Sequence, residues 1–314
     1  MKEIGGYFEL ELSKGMHFHP NAIRLNTARN CLEYILRSRE YTKIYIPYYT
    51  CEVILEPLHK LSIQYEFYTI NEDLEPTFLP SLKEKEAFLY TNYFGIKKSY
   101  ISHLANIIPN LIIDSSQAFF DLPLNNIDTF YSARKFIGVP DGAYLYTTKL
   151  LDIDFPYDQS WERCTHLLQR IDLKAQDGYK EFQKNDTLLC HQPIKRMSKL
   201  TSTLLSSINY VDIQQLRQRN FQYIHDVLRD KNKIKISHEK DITPMVYPFW
   251  ITNGKSLREK LIRNNIFVAK YWSNVLNWVK PESLEYQLAE NLLPIPIDQR
   301  YTKEDIDIIL SILY

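Results

Sequence analysis

Strand-like and helix-like segments alternate through the first half of the chain, and this alternation limits the possible folds most strongly. Strand patterns cover 43–49, 63–70, 87–95 and 110–114, and helical patterns between them cover 51–61, 80–85 and 99–106. Strands that alternate with helices predict βαβ units and a mainly parallel sheet. Two further apolar runs, 127–134 and 142–147, are separated by a short turn, and we expect them to be neighbours in the same sheet.

The second half has a different organisation. We interpret the polar segment 150–192 as irregular connecting structure. A long helical pattern starts near Met197, and we expect it to continue, broken or not, through Leu228. An apolar run covers 245–251, a further strand is predicted at 292–297, and helices are predicted at 256–264 and 303–313, the last with Thr302 as its N-cap. The chain therefore predicts an α/β fold with a large domain, residues 1–200, built on a mostly parallel central sheet, and a small C-terminal α/β domain, residues 201–314.

Composition excludes several classes of function. Lys plus Arg and Asp plus Glu both number 38, so the formal charge is zero, whereas proteins that bind nucleic acid or anionic membranes normally carry a basic excess. The 8 glycines form no GxGxxG or GxxxxGK[ST] pattern, which argues against an NAD-binding Rossmann enzyme and against a P-loop. We expect small-molecule partners, no nucleic acid and no membrane.

The cysteines and the N-terminus indicate the compartment. The four cysteines are widely spaced and form no CxxC pair, so we expect reduced thiols. The first residues carry Glu3, Glu9 and Glu11 and lack the apolar core of a signal peptide. No apolar stretch approaches the ~20 residues that span a bilayer. These features predict a cytoplasmic protein.

The segment 110–142 contains the residues that suggest chemistry. An apolar strand ends at Asp114, with Gln117 three residues later, and Ser132 and Lys135 follow the next strand. Ligands of open α/β sheets bind at the carboxyl ends of strands, so Asp114 and Lys135 are expected to face one crevice. A lysine that forms a Schiff base and an acid that holds a pyridine nitrogen protonated are the minimum for pyridoxal 5'-phosphate (PLP) chemistry. The residues alone leave the alternative open that the acid merely ends a strand and the lysine is solvated.

An ordered set of segments resembles the DegT/DnrJ/StrS family of sugar aminotransferases. LIIDSSQAFF resembles the family's acid–glutamine motif, and DTFYSARKFIGVPDGAYLYT resembles its Schiff-base lysine segment. Upstream, RLNTARNCLEYIL and KIYIPYYTCEVILEPLHKLSIQYEFYTIN resemble its phosphate-binding helix and its second strand–helix–strand unit. Downstream, KRMSKLTSTLLSSI and ENLLPIPIDQRYTKEDIDIILSIL resemble the start of its long helix and its C-terminus. The resemblance covers most of residues 24–149 and 194–314, and it implies the PLP-dependent transferase fold of type I.

The resemblance assigns roles to individual residues. Lys135 would be the catalytic lysine that carries the Schiff base, and Asp114 would pair with the pyridinium nitrogen. Gln117 would face the cofactor ring. Thr27 and Ala28 would bind the phosphate at the start of a helix, where backbone N–H groups lack partners, and Ser132 would add another phosphate hydrogen bond. Taken without the family, Thr27 is equally consistent with a plain helix N-cap.

The chain departs from the family pattern at several of these positions. The phosphate-binding serine five residues before the lysine is Phe130 here, and Ser132 is expected to replace it. Cys51 stands where many relatives place an aromatic residue on the cofactor ring. Ile194 occupies the position of an asparagine that relatives contribute to the neighbouring subunit.

Three residues are weaker candidates for substrate binding. Asn92 ends a strand and is expected either to enter the crevice or to cap a turn. Arg29 and Arg134 suit phosphate or pyrophosphate groups, although surface salt bridging is an equal alternative. His17 and His19 alternate in a loop and are more simply explained without a metal, so no metal site is predicted.

Together these features predict a PLP-dependent aminotransferase that transfers an amino group from glutamate to a nucleotide-linked keto-sugar, and that works as a homodimer. Polysaccharide biosynthesis is the expected pathway class, while the residues leave glycoprotein and secondary-metabolite pathways open. The alternative from another class is a protein of the same fold that senses a ligand or regulates a partner without transamination. A PLP-dependent sugar dehydratase would need histidine in place of Lys135.

Overall fold

The computed structural model describes residues 4–236 and 242–314 and contains a seven-stranded sheet in the first half of the chain. The strands are β1 (Ile23–Leu25), β2 (Lys43–Pro47), β3 (Gln64–Tyr68), β4 (Glu86–Thr91), β5 (Leu111–Asp114), β6 (Asp128–Ser132) and β7 (Ala143–Tyr146). Their order is β1-β7-β6-β5-β4-β2-β3, and all neighbours from β6 to β3 pair in parallel. Only β7 is antiparallel to its neighbours, β6 and β1. The predicted fold class, with a mostly parallel central sheet, is confirmed.

Helices cover both faces of this sheet. The helices in this part of the chain are α1 (Ala28–Arg39), α2 (Leu55–Lys60), α3 (Lys98–Ile107), α4 (Thr165–Asp172), α5 (Tyr179–Leu188), α6 (Lys199–Ser206) and α7 (Tyr210–Leu228). Successive strand residues belong to opposite faces: Leu89 and Ile112 lie in the apolar cluster that includes α1, whereas Phe88 and Ile113 lie in the cluster on the other face. Burial on both faces explains why the strands read as continuous apolar runs.

The C-terminal part forms a smaller α/β unit. Its elements are β8 (Val246–Trp250), α8 (Gly254–Arg263), α9 (Val275–Trp278), α10 (Leu284–Asn291), β9 (Leu292–Pro296) and α11 (Lys303–Leu313). Strands β8 and β9 pair antiparallel. Thr302 caps α11 as expected, in a capping box with Asp305. Residues on both sides of position 200 share one apolar cluster, and the domain boundary proposed there stays a prediction.

Two predictions of secondary structure are wrong. Residues 80–85 form no helix, because Lys83, Glu84 and Lys85 are all exposed and leave no apolar face to bury. The segment 150–192, expected to be irregular, contains α4 and α5, which pack against each other as a helical hairpin. The helical pattern expected from near Met197 through Leu228, broken or not, forms two helices, α6 and α7. The second begins where the Asn209 side chain accepts from Asp212 N.

A buried carboxylate fixes the loop that follows β6. Asp141 is fully buried and accepts hydrogen bonds from Ser198 N (2.9 Å), from the Ser198 hydroxyl (2.7 Å) and from the Thr201 hydroxyl. The contact joins the loop between β6 and β7 to the start of α6. Because Lys135 lies in this loop, the network determines where the lysine's turn sits.

We expect Asp141→Ala to lower the free energy of unfolding by about 3 kcal/mol, because it leaves buried donors without acceptors. Asp154→Ala is the matched control: it removes a carboxylate from an exposed ion pair with Arg196 and should cost no more than about 1 kcal/mol. Urea unfolding of the two variants and the wild type measures both values. Equal losses in the two variants would contradict the role given to Asp141.

Candidate active site

The carboxyl ends of the parallel strands and the start of α1 enclose a cavity of about 150 Å³. This cavity is lined by every residue that the sequence predicted to bind the cofactor. Both candidate arginines also line it, as does the cysteine that departs from the family pattern. These residues are Thr27, Ala28, Arg29, Cys51, Asp114, Gln117, Ser132, Arg134 and Lys135. Residues separated by more than 100 positions in the sequence thus meet at one edge of the sheet.

Asp114 is the last residue of β5 and lies at the centre of this edge. It pairs in parallel with Phe130 of β6, and its Oδ1 accepts from Ser116 N at 2.8 Å. Phe130 and Ser132 are two residues apart on one strand, so their side chains share a face, and both line the cavity. The Ser132 side chain therefore faces the same cavity as Phe130, two residues further along β6.

Lys135 ends a short 3₁₀ turn, Ala133–Lys135, that follows β6 directly. Ala133 N donates to Gly142 O (3.1 Å), and Gly142 N donates to Asn26 O (2.7 Å), which ties the turn to the residue before Thr27. Gly142 has φ +113°, and a Cβ there would lie 2.9 Å from Thr201 Cγ2. This turn needs glycine at position 142, and it leaves the Lys135 side chain exposed at the cavity.

The first turn of α1 presents backbone donors to the cavity. Thr27 is the N-cap: its Oγ1 accepts from Asn30 N at 3.2 Å, so the capping role considered in the sequence analysis is real. The neighbouring Ala28 and Arg29 lie at the helix start, where N–H groups have no partner within the helix. The positive end of the helix dipole adds to their attraction for an anion.

Three residues that line the cavity, Gln117, Thr91 and Arg134, each carry a buried polar atom that lacks a partner among the described residues. Gln117 Oε1 accepts from Phe94 N at 2.8 Å, but its amide nitrogen Nε2 donates to nothing. The hydroxyl of Thr91, at the end of β4, also makes no hydrogen bond. Buried donors in this state are costly unless a ligand supplies an acceptor.

Asn92 is turned away from the cavity. Its Nδ2 donates to Asp121 Oδ2 (2.7 Å), and its Oδ1 accepts from Lys97 N (3.2 Å). The side chain thus caps a turn, which was the alternative considered for it, and it borders a separate small hollow. Asn92 is therefore not part of the proposed site.

Both arginines in the cavity have carboxylate partners. Arg29 Nη1 lies 2.7 Å from Glu56 Oε2 in a mostly buried pair. Arg134 pairs with Asp186, but its buried Nε atom has no hydrogen-bond partner. The arginines are therefore positioned by ion pairs, and their role towards substrate stays a prediction.

Sequence reasoning missed Trp272, which also lines the cavity. Its ring packs edge-on against Tyr49 with centroids 5.0 Å apart, and the nearby Asn274 donates to Thr50 O at 2.9 Å. The C-terminal part thereby contributes one aromatic side chain to a cavity built by the sheet. The sequence gives no signal for it, because the contact joins residues more than 200 positions apart.

Burial raises the pKa of the Cys51 thiol, and the Lys135 ammonium opposes the shift. Cys51 is therefore a neutral, poorly reactive thiol beside the lysine. It offers a small apolar surface at a position where an aromatic ring would fill more space.

His17 and His19 are integrated into the core. His17 Nδ1 lies 2.6 Å from the Tyr144 hydroxyl, and His19 Nε2 lies 2.7 Å from Phe119 O. The part of the chain that the structure describes holds no group of three or more His, Cys, Asp or Glu side chains arranged for a metal ion. Burial lowers the pKa of His19 to about 4, although the Phe119 carbonyl opposes the shift.

No helix within residues 4–236 and 242–314 is long and apolar enough to cross a bilayer.

Comparison with known proteins gives matches among solved structures only, since no family model and no curated protein matches this chain. A DegT DnrJ EryC1 StrS aminotransferase from Brucella abortus superposes with a TM-score of 0.62 at 13% identity, covering 93% of this chain and 84% of that one. Spr1654 from Streptococcus pneumoniae in its PLP form gives 0.62 at 14% identity, with 93% and 86% covered. DesI, solved in the presence of its TDP-sugar product, gives 0.63 at 14%, with 93% and 79% covered. At these identities the likeness establishes the fold, which is that of the type I aminotransferases.

We expect the stability of the protein to fall as the pH decreases from 6.5 towards 4, in part because His19 is neutral in the folded state and charged in the unfolded chain. The unfolded state binds the extra proton, so this group contributes a loss of up to about 1.4 kcal/mol per pH unit.

His19→Gln keeps a donor for Phe119 O but does not titrate. Urea unfolding at several pH values between 4 and 6.5 should give a shallower decline for this variant than for the wild type. Parallel declines would show that His19 does not titrate as its burial indicates.

Proposed function

We propose that this chain is a PLP-dependent aminotransferase that transfers an amino group from glutamate to a nucleotide-linked keto-sugar. The observation that carries the proposal is that Asp114, Lys135 and the start of α1 line a single cavity. A carboxylate, an amine and a helix N-terminus are the three groups that a phosphorylated pyridine aldehyde requires. We further propose that the protein is cytoplasmic.

The residues present fit this cofactor. Asp114 would hold the pyridinium nitrogen, and Lys135 Nζ would bind the aldehyde carbon. Thr27, Ala28 and Ser132 would bind the phosphate at the helix start. The unsatisfied Nε2 of Gln117 would donate to an oxygen of the ring, which gives this buried atom the acceptor that it lacks.

Trp272 and Cys51 complete the surroundings of the ring. The cavity has a thiol where relatives in this family place an aromatic residue, and the indole from the C-terminal part supplies an aromatic surface in the same cavity. A cationic pyridine ring is stabilised by an aromatic face. The C-terminal part would in this way contribute to cofactor binding.

When bound, PLP supplies an electron sink for the charge left on a carbon that loses its proton. Lys135 is the only amine that lines the cavity among the described residues, and its Nζ would move that proton as general base and acid. Asp114 is held in place by Ser116 N, and its negative charge would keep the nitrogen proton in position.

The structural neighbours support the nature of the cofactor and substrate. Spr1654 was solved in PLP and PMP forms, the two states that an aminotransferase alternates between, and DesI was solved with a TDP-sugar product. Glutamate as donor follows from the family resemblance alone. Lys135 favours transamination over dehydration, which requires a histidine at this position by the same resemblance.

We expect the full-length protein mixed with PLP to show a visible absorption band that glutamate removes and that Lys135→Ala lacks, because the band requires the lysine amine. Lys149→Ala, which removes an exposed lysine outside the cavity, should behave like the wild type. An unchanged band in Lys135→Ala would exclude this lysine.

Asp114→Asn separates binding from chemistry in the same assay. It should still form the band, while the glutamate-dependent change slows by about 100-fold or more, because the neutral amide does not stabilise the nitrogen proton. A wild-type band that never responds to glutamate, or to any other amino acid, would favour the sensor alternative instead.

We propose a homodimer, because type I sites are usually completed by a second subunit and the Lys135 side chain is exposed in the single chain. Sedimentation equilibrium should give twice the 37.3 kDa chain mass. PLP should reduce the accessibility of Lys135 to an amine-modifying reagent. A monomer that forms the absorption band and responds to glutamate would contradict the need for a second subunit.

A further inference from the structure

Residues 4–16 form an N-terminal arm that is almost fully exposed. The arm contains neither helix nor strand, and Tyr7 and Phe8 are 98% and 92% exposed. Ile4 and Leu10 are exposed as well. Removing apolar surface from water is favourable, and one aromatic side chain buries about 150–250 Å². The arm therefore gains free energy wherever another surface covers it.

The arm also carries negative charge. Glu9 and Glu11 form no ion pair with any residue in the described ranges. In an extended segment, successive side chains point to opposite sides. Tyr7, Glu9 and Glu11 then share one side of the arm, and Phe8 and Leu10 share the other. One side is therefore acidic and the other side is apolar.

The root of the arm is fixed against α6. A Cβ at Gly15 would lie 2.6 Å from Ser206 O, so the backbone packs closely on the end of this helix. His17 Nε2 lies 3.1 Å from the Ser202 hydroxyl. Residues 4–14 lead away from this root, and 11 extended residues span at most roughly 36 Å. The arm thus starts at a defined point and is long enough to reach a neighbouring molecule.

A basic cavity lies directly beside the root. Its volume is about 540 Å³, and Ser202 and Thr203 of α6 belong to its lining. Its cationic side chains are Arg24, Arg196 and Lys199, and no carboxylate among the described residues lines it. A concave surface with one sign of charge favours a partner that carries the opposite charge.

Two of the three cations have no carboxylate partner in the described part of the chain. Arg24 donates to a backbone carbonyl at 3.3 Å, and Lys199 Nζ lies 5.8 Å from the centroid of the Tyr157 ring. Arg196 pairs with Asp154, a side chain that is itself exposed. Carboxylates from outside the molecule would therefore meet Arg24 and Lys199 without displacing an ion pair.

Backbone hydrogen bonds hold the wall of this cavity. Met197 N donates to Arg24 O at 3.1 Å, and Arg196 N donates to Pro156 O at 2.8 Å. The segments 195–197 and 156–158 thus follow β1 side by side and fix the spacing of the cations. Tyr157 lies among the cations and is 52% exposed, so it offers an aromatic surface in the same cavity.

These features favour a second copy of this chain as the source of the occupant. The arm begins beside its own cavity, but Tyr7 and Phe8 remain exposed, so the arm does not fill that cavity within one chain. In a two-fold contact the same patch of both copies meets, which places each root beside the cavity of the other copy. An arm between two molecules is covered on both sides, as one acidic and one apolar side require.

We propose that the arm of one copy occupies the basic cavity of a second copy. Its Glu9 and Glu11 bind Arg24 and Lys199 of the second copy, and its Tyr7 packs on the Tyr157 ring. The apolar side of the arm faces the molecule from which the arm comes. This inference rests on the proposed homodimer and adds the segment that joins the two copies.

Photocrosslinking of the full-length protein tests the contact directly. The photoreactive p-benzoylphenylalanine replaces Tyr7 in one preparation and the exposed Tyr314 in a control preparation. After illumination, the probe at position 7 should give a covalent species of twice the 37.3 kDa chain mass on a denaturing gel. Peptide mapping should place its crosslinks in 22–24, 157 and 196–203. The probe at position 314 should give no crosslink to these residues.

Charge exchange tests the ion pairs in the same contact. Glu9→Lys with Glu11→Lys should weaken association at least about tenfold in sedimentation equilibrium, because like charges then face each other. Arg24→Glu with Lys199→Glu should weaken it to a similar extent. The protein that carries all four substitutions should associate within about threefold of the wild type, since the exchanged charges again attract.

Glu72→Lys with Glu282→Lys is the matched control, because it makes the same change in net charge at exposed glutamates outside the arm. It should change the association constant less than twofold. Equal weakening in this control and in the arm variant overturns the contact, and so does a fourfold variant that associates no better than either double variant.

The crosslinks separate this inference from the proposed function. A dimer in which the probe at position 7 forms no covalent dimer, or crosslinks only residues outside the cavity, overturns the arm contact and leaves the homodimer and the aminotransferase proposal standing. Crosslinks to the cavity within a single chain identify the arm as a cover of its own cavity and overturn the exchange. A monomer overturns the arm contact together with the homodimer, while the absorption band still decides the activity.

Discussion

The parallel pairing of β5 with β6 is the constraint on which the site depends. It places Asp114 beside Phe130 and puts Ser132 one pleat repeat further along the same face. If β6 slipped by one residue, Ser132 would point to the other face and the following turn would carry Lys135 away from Asp114. The register is in turn fixed by burial on both faces of the sheet, because a slip would move apolar side chains into the wrong cluster. The core thus determines the geometry of the polar edge.

The loop after β6 needs a second fixation, because a strand alone does not determine where the next turn goes. The Asp141 carboxylate holds the loop by accepting a hydrogen bond from the start of α6. Gly142 lets the loop approach Thr201 so closely that any side chain at position 142 would block the contact. Gly142 N also donates to Asn26 O, directly before the N-cap of α1. Backbone hydrogen bonds therefore hold the lysine turn and the start of α1 together, and they set the distance between Lys135 and the first N–H groups of α1.

The sequence predicted those parts of the fold that repeat a local pattern. Asp114 and Lys135 are predictable because Asp114 ends one apolar strand and Lys135 follows the next, and the carboxyl ends of parallel strands share an edge. The α4–α5 hairpin was missed because its helices are short and largely exposed, with His166 the only residue of α4 that is buried. Asn92 directly follows β4, at the same edge of the sheet as Asp114, but its hydrogen bond to Asp121 turns it away from the cavity, and no local pattern encodes that contact. Trp272 and Arg217 reach their places through tertiary packing alone.

The two cavities that share Arg134 and Lys135 differ in the donors that they present. In the cavity of about 150 Å³ both arginines are already paired, Arg29 with Glu56 and Arg134 with Asp186. An anion there would depend on backbone N–H groups and hydroxyls at the start of α1. The adjoining cavity, of about 800 Å³, is lined by three further arginines, Arg170, Arg217 and Arg300, and by the start of α5 at Gly178 and Tyr179. Backbone groups therefore dominate the donors on one side of Lys135, and guanidinium groups dominate them on the other.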